Sequence, residues 1–254
     1  MSTTFKPGVF SPDPQRSTPW AMARVQGAME SKLMLRHGEQ QLLSIIIPLA
    51  ILIGAERLES TTGHGLHEVF PMVLAVAATS AGFTGQAISL AFDRRYGALK
   101  RVGASGVPAW GIIAGKIIAV FSMVCAQVVI LGAVAAVFGL RLNLESILVM
   151  ALVLILGVST FTALGLLLGG TLSSEIVLAL ANLIWFVLLG VVGWVLYSHG
   201  LGNDGLLTLV PTVALAGGLA DAIDGVFPGM EILVLIGWTT LASFAAVRWF
   251  RFEG

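Results

Sequence analysis

Long runs of apolar residues, almost free of charge, dominate this chain. They lie at 42–58, 70–90, 112–138, 146–170, 176–197 and 230–247. A helix needs about 20 mainly apolar residues to cross the hydrocarbon core of a bilayer, which is about 30 Å thick. Of the 254 residues, 57% are hydrophobic and only 11% are charged, too few to cover a soluble domain of this size. The sequence therefore predicts an all-α integral membrane protein with six transmembrane helices, and it excludes a soluble enzyme and a disordered chain.

Two segments are weaker than the rest. The first run meets Glu56 and Arg57, so a re-entrant segment is the alternative to a full span there. The stretch 206–220 contains Pro211 and two adjacent glycines and is too short to cross a membrane. We expect it to form a partly inserted, re-entrant helix at the outer surface, before the last span.

The distribution of Lys and Arg predicts the orientation, because cytoplasmic loops carry an excess of both. With both termini in the cytoplasm of a multi-pass cell-membrane protein, only Arg57 and Arg141 lie outside. The positions inside are Lys6, Arg16, Arg24, Lys32, Arg36, Arg94, Arg95, Lys100, Arg101, Lys116, Arg248 and Arg251.

The N-terminal region divides into two parts. Residues 1–17 are proline-rich and are predicted to form a flexible cytoplasmic tail. Thr18 can cap a helix whose first position is Pro19, and apolar residues then recur at helical spacing. We expect an interfacial connecting helix at 18–37 that lies against membrane lipids, with a solvated lead-in as the alternative. Its apolar face is formed by Met22, Val25, Met29 and Leu33.

Catalytic and metal-binding patterns are weak. The stretch 111–116 has three residues between its glycines where a P-loop has four, and no hydroxyl follows Lys116. Ser159 and His199 are predicted to lie at different depths, which argues against a hydrolase. The pair His64 and His67, near two glutamates, is more typical of a polar loop than of a zinc site.

Other partners and bonds are limited by composition. The formal charge of zero gives no support for binding nucleic acid. Cys125 is the sole cysteine, so no intrachain disulfide is possible. We predict no metal site and no cofactor in this chain.

The connection 91–110 resembles the signature of ABC-2 type transporter permeases. In that layout an acidic residue, Arg, Gly, an aliphatic residue, Lys and Arg precede a turn and a Gly-Lys pair that enters the next helix. The positions that match are Asp93, Arg95, Gly97, Leu99, Lys100, Arg101, Ala104, Ser105, Pro108, Gly115 and Lys116.

This resemblance implies that 38–254 form a six-helix ABC-2 type transmembrane domain, the membrane half of an ABC exporter. The partners would be separate ABC ATPase subunits, which bind the ATP and magnesium, and a second permease, either the same chain or a paralogue. The segment 93–102 would couple the ATPase to the helices, and a helical path would set Arg94 and Arg101 on one face. The coupling residues would be Asp93, Arg94, Arg95, Gly97, Lys100 and Arg101.

In this family the second and fifth helices usually line the translocation path. The resemblance therefore assigns that role to two sets of residues that are in phase on their helices, with packing inside one subunit as the alternative. They are Thr79, Phe83 and Gln86 on the second helix, and Asn182, Phe186 and Leu189 on the fifth.

A path of this composition suits a lipophilic or amphipathic substrate, as in drug or antibiotic efflux. Export of a lipid-linked cell-envelope precursor and a non-transporting sensor or scaffold subunit are the alternatives. Gly165 and Gly169, four residues apart, would also permit two helices to approach closely.

Overall fold

The computed structural model describes residues 17–36, 42–104, 109–202 and 205–249. Within these ranges the chain is helical and contains no strand. The predicted tail, apart from residue 17, lies outside them, as do Ser105, Pro108 and Arg251.

Five helices are long and apolar enough to cross a membrane. The first is a continuous rod, Leu66–Arg95, made of α3 (Leu66–Thr79), a π-helical turn (Ser80–Gly85) and α4 (Gln86–Arg95). A short helix, α5 (Ala98–Ala104), follows it. The other four long helices are α6 (Ala109–Val137), α7 (Leu144–Thr171), α8 (Ser174–His199) and α10 (Gly229–Trp249). The prediction of an all-α membrane protein is confirmed.

The first predicted span forms a helix of different character. A π-helical turn (Leu42–Ile46) leads into α2 (Ile47–Thr62). This segment is not among the five, because Glu56, Arg57 and Glu59 lie within it and shorten its apolar part. Five spans are thus supported by length and composition, and the sixth stays a prediction.

The rod Leu66–Arg95 lies at the centre of the bundle. Residues 69–87 are all buried, while α6, α8 and α10 each expose one side. A helix that is apolar all round is typical of a buried position. The rod is therefore the element around which the other helices pack.

The segment before α10 turns back beside that helix, which is the shape expected of the predicted re-entrant segment. A 3₁₀ turn (Gly205–Leu209) precedes α9 (Pro211–Ile223), and Pro211 occupies the start of that helix. The indole Nε1 of Trp238 donates to the carbonyl oxygen of Leu209 at 2.8 Å. Since Trp238 lies nine residues into α10, this contact is about 14 Å along that helix. The chain thus descends to Leu209 and returns through α9.

The N-terminal helix α1 (Pro19–Arg36) packs along α6. Thr18 caps it, because the backbone N–H of Ala21 donates to the Thr18 hydroxyl at 3.3 Å. Ala23, Gly27 and Met34 are buried, whereas three residues of the predicted apolar face are more than half exposed. These are Val25, Met29 and Leu33. The helix therefore holds the protein with one side and presents an apolar surface on another.

The bundle has two distinct ends. We call the one that carries α5, the end of α4 and the turn between α7 and α8 the basic end. Arg94 and Arg95 lie there and contact that turn. The other end carries Arg57, Arg141 and the connection between α2 and α3.

Candidate functional site

The predicted coupling segment is two helices rather than one. The backbone at Gly97 has φ of 67°, a left-handed conformation that ends α4 and is favourable for glycine. The chain then begins α5 at Ala98. The predicted common helical face of Arg94 and Arg101 is therefore wrong, because the helix axis changes between them.

Arg94 points into the protein. Its side chain is buried, and Nη1 donates to the carbonyl oxygens of Gly169 at 2.8 Å and of Leu172 at 2.9 Å. These carbonyls belong to the end of α7, where the backbone runs out of helical partners and the helix dipole is negative. Arg94 is thus an internal C-cap of α7, a role that its position in the sequence does not indicate.

Arg95 binds the start of the next helix. Its Nη1 donates to the Ser174 hydroxyl at 3.1 Å and forms an ion pair with the Glu175 carboxylate. Together with Arg94 it fastens α4 to the turn between α7 and α8. A cleft of about 210 Å³ lies at this junction.

Asp93 also has its partner inside the chain. Its Oδ2 accepts from the Lys116 ammonium at 2.6 Å, and the same ammonium donates to the Ser89 hydroxyl at 3.2 Å. Lys116 lies near the start of α6 and is only 1% exposed. A buried lysine in an apolar helix demands a carboxylate partner, which is the signal in the sequence that could have identified this pair.

The remaining charged coupling residues lie on the surface. Lys100 and Arg101 of α5 are exposed, as is Tyr96 just before it, and we call these three the α5 surface. The Tyr96 ring stacks on Phe92 with centroids 5.9 Å apart, and the Arg95 guanidinium lies 5.8 Å from its centroid. The tyrosine is therefore held in place at the edge of the basic end.

The path residues of the second predicted span are buried. Thr79 and Gln86 are 1% and 3% exposed, and Phe83 is 5% exposed. The Thr79 hydroxyl donates to the carbonyl of Ala75 in its own helix at 2.7 Å. The Gln86 Oε1 is buried and has no partner among the described residues. In this conformation the three pack inside one subunit.

Close packing against α7 explains their burial. A Cβ at Gly165 would lie 2.7 Å from the carbonyl oxygens of Gly82 and Phe83, and one at Gly169 would overlap the carbonyl of Ala87. The predicted close approach at Gly165 and Gly169 is thus confirmed.

The path residues of the fifth predicted span lie on a different surface. Phe186 is 58% exposed, while Asn182 and Leu189 are half-buried. The Asn182 amide donates to the carbonyl of Leu178 at 2.9 Å. None of the six path residues lines the cleft beside Arg94 and Arg95 or the cleft at the opposite end of the bundle. These two clefts therefore do not join the two sets.

The opposite end holds a polar cleft of about 420 Å³. His67 lies 3.7 Å from the Asp224 carboxylate, and His64 pairs with Glu68. Over the described ranges, no three histidine, cysteine or acidic side chains are grouped so that they could hold a metal ion. The Ser159 hydroxyl donates to the carbonyl of Ile155 at 2.7 Å, as helical serines commonly do.

Comparison with known proteins identifies the family of the chain. No similar protein was found among the curated proteins. Residues 27–201 match the family of ABC-2 type transporters, and the matched region runs from within α1 to the end of α8. It includes the paired Asp93 and Lys116 and all of α5. The chain is a membrane component of an ABC transporter and belongs to the ABC-2 type transporter family.

Proposed function

We propose that the chain is the permease subunit of an exporter for lipophilic or amphipathic substrates, with drug or antibiotic efflux as the leading case. The family supports a transport component that is not itself the ATPase. Under this proposal the basic end faces the cytoplasm, both termini lie there, and the segment 42–62 completes six spans. The charge distribution of the sequence supports that orientation.

The observation that carries the proposal is the α5 surface. Lys100 and Arg101 are exposed on a short helix that two long helices hold at the basic end. Exposed cations of this kind can form charge-assisted hydrogen bonds with acidic groups of an ABC ATPase, whose ATP and magnesium supply the energy. Asp93, Arg94 and Arg95 would support α5 from inside the chain, and Gly97 would set its direction.

The translocation path is proposed between two permeases, which are two copies of this chain or one copy and a paralogue. Asn182, Phe186 and Leu189 would face the partner from α8. Thr79, Phe83 and Gln86 would become accessible only when the central rod shifts. The buried Oε1 of Gln86, which has no partner among the described residues, supports this. Such an atom is costly in an apolar interior, and a second conformation in which it gains a partner would lose that cost.

The apolar face of α1 is proposed to lie in the membrane interface. Val25, Met29 and Leu33 are exposed together, and Arg24 and Lys32 are exposed beside them. A helix with an apolar face and basic flanks binds lipid headgroups and acyl chains at the same time. This placement would anchor α1 next to α6.

Experiment can distinguish this proposal from two other functions. Export of a lipid-linked cell-envelope precursor uses the same architecture with a different substrate. A sensor or scaffold subunit would bind its ATPase without moving any substrate.

The test is the charge reversal Arg101→Glu. The permease is co-expressed with candidate ABC ATPases and reconstituted into proteoliposomes, and ATP-dependent movement of a lipophilic fluorescent dye is measured. We expect normal insertion of Arg101→Glu, weakened ATPase binding and loss of dye transport. Arg248→Glu is the matched control, since it makes the same charge change on an exposed arginine of α10.

The outcomes separate the alternatives. If Arg101→Glu binds its ATPase and transports dye at the normal rate, the α5 surface is not part of the coupling site. Binding and hydrolysis by the unaltered complex without transport of any dye or lipid-linked precursor would favour the sensor.

A further inference from the structure

Lys116 connects three helices. Its ammonium contacts the Asp93 carboxylate and the Ser89 hydroxyl of α4, at 2.6 and 3.2 Å. It also lies 3.6 Å from the Glu30 carboxylate of α1. An ammonium has three donors, and three oxygen atoms from two other helices surround it here. The lysine of α6 thus meets both α1 and α4 at one point.

The backbones around this point are in close contact. A Cβ at Gly115 would lie 2.6 Å from the Gln26 side chain and 3.3 Å from its backbone carbonyl carbon. The Gln26 amide in turn donates to Glu30 Oε1 at 3.0 Å, which holds the carboxylate toward the lysine. α1 therefore cannot move along α6 without breaking the contacts of Glu30.

The ammonium of this cluster is shielded from solvent, while its two carboxylates are partly exposed. Lys116 is 1% exposed, and the side chains of Glu30 and Asp93 are 18% and 31% exposed. A buried ion pair stabilises a fold little compared with apolar residues of the same volume, but it is costly to break and is strict in its geometry. Such a group favours one arrangement of its helices over all others.

The cluster joins the two helices that flank α5 in the chain. Asp93 belongs to the helix before α5, and Lys116 belongs to the helix after it. We propose that Lys116 is a positioning residue that joins α1, α4 and α6 into one unit, so that a displacement of α5 reaches all three together. This inference rests on the proposed function, because it assumes that an ATPase displaces α5.

The test compares two variants of α6. Lys116→Met keeps an unbranched side chain, one heavy atom shorter, and removes the charge. Gln127→Leu is the matched control, because Gln127 is also buried on α6 but contacts the backbone of Ser44, which belongs to neither α1 nor α4. Gln127 also lies about 16 Å along α6 from Lys116. Both complexes are reconstituted with the ATPase, and ATP hydrolysed is measured together with dye transported.

We expect Lys116→Met to bind the ATPase and to hydrolyse ATP while transport per ATP falls about tenfold. Gln127→Leu should lose thermal stability without a change in that ratio. If Lys116→Met does not fold, Glu30→Gln takes its place, because it removes the charge of α1 and leaves the pair of Asp93 and Lys116 intact, and the ratio should then fall to about half or less. A folded variant of either kind with the unaltered ratio would overturn the proposal.

A second measurement does not need the ATPase. Backbone hydrogen exchange of 19–36 in the purified permease should become about tenfold faster in Lys116→Met, and not in Gln127→Leu. An unchanged rate of hydrogen exchange in Lys116→Met would show that Lys116 does not hold α1. If the unaltered permease binds no ATPase, the proposed function and the coupling role fail, while the exchange rates still decide whether Lys116 holds α1.

Discussion

Pro48 leaves a carbonyl without its usual donor, and Gln127 supplies one from another helix. In a regular α-helix the carbonyl of Ser44 would accept from the N–H of residue 48, which proline lacks, and the chain forms a π-helical turn at Leu42–Ile46 instead. The Gln127 amide of α6 donates to that carbonyl at 2.8 Å, and both side chains are buried. Membrane helices tolerate proline where a neighbouring helix satisfies the freed carbonyl in this way.

The size of the effect follows from this geometry. Gln127→Leu removes the donor, and hydrogen bonds between membrane helices contribute about 0.6 kcal/mol on average and up to about 1.7 kcal/mol. The buried Oε1 of Gln127, which has no partner among the described residues, disappears with the same change and offsets part of that loss. We therefore expect Gln127→Leu to lower the free energy of unfolding by about 0.5–1.5 kcal/mol. In the Pro48→Ala background residue 48 has its own N–H, and the same change should cost less than about 0.5 kcal/mol.

The assay is a double-mutant cycle on the purified protein, with unfolding followed in mixed micelles of increasing denaturing detergent. The packing that is lost in Pro48→Ala does not affect the result, because it is lost both with and without Gln127→Leu and cancels when the two costs of Gln127→Leu are compared. An equal cost of Gln127→Leu in both backgrounds would refute the role assigned to the amide.

Two further predictions concern packing and orientation. Gly169→Ala should destabilise the protein by about 1–3 kcal/mol, because the new methyl group overlaps the carbonyl of Ala87. Gly190→Ala has open space around it and should be neutral or stabilising by up to about 1 kcal/mol, so equal effects at the two glycines in thermal unfolding would contradict the helix contact. In a Cys125→Ser background, an impermeant thiol reagent should label Ser198→Cys and not Ser105→Cys in whole cells. The reverse pattern would overturn the proposed orientation.

The candidate site was only partly accessible to sequence reasoning. Asp93, Gly97 and Lys116 could be selected from their order in the chain, because a motif is a linear pattern. The contacts of Arg94 could not be foreseen, since its partners Gly169 and Leu172 lie 75 and 78 residues further along the chain. The contact of Lys116 with Glu30 of α1 could not be foreseen either, because it depends on how α1 packs on α6. The same holds for Gln86, whose burial depends on how closely α7 approaches the central rod.

The sequence by itself determined which parts of the chain are helical and apolar, and where the connections fall. Length, absence of charge, Pro211 and the cap at Thr18 are local properties, and in a bilayer core a helix satisfies nearly all of its backbone polar groups within its own segment. Only the tertiary structure decided which face of each helix meets protein. Helices in an apolar solvent have no hydrophobic reason to choose a face, so small contacts at glycines and single polar side chains decide it. The three that matter most here, at Gly169, Gln127 and Lys116, each depend on a residue of another helix.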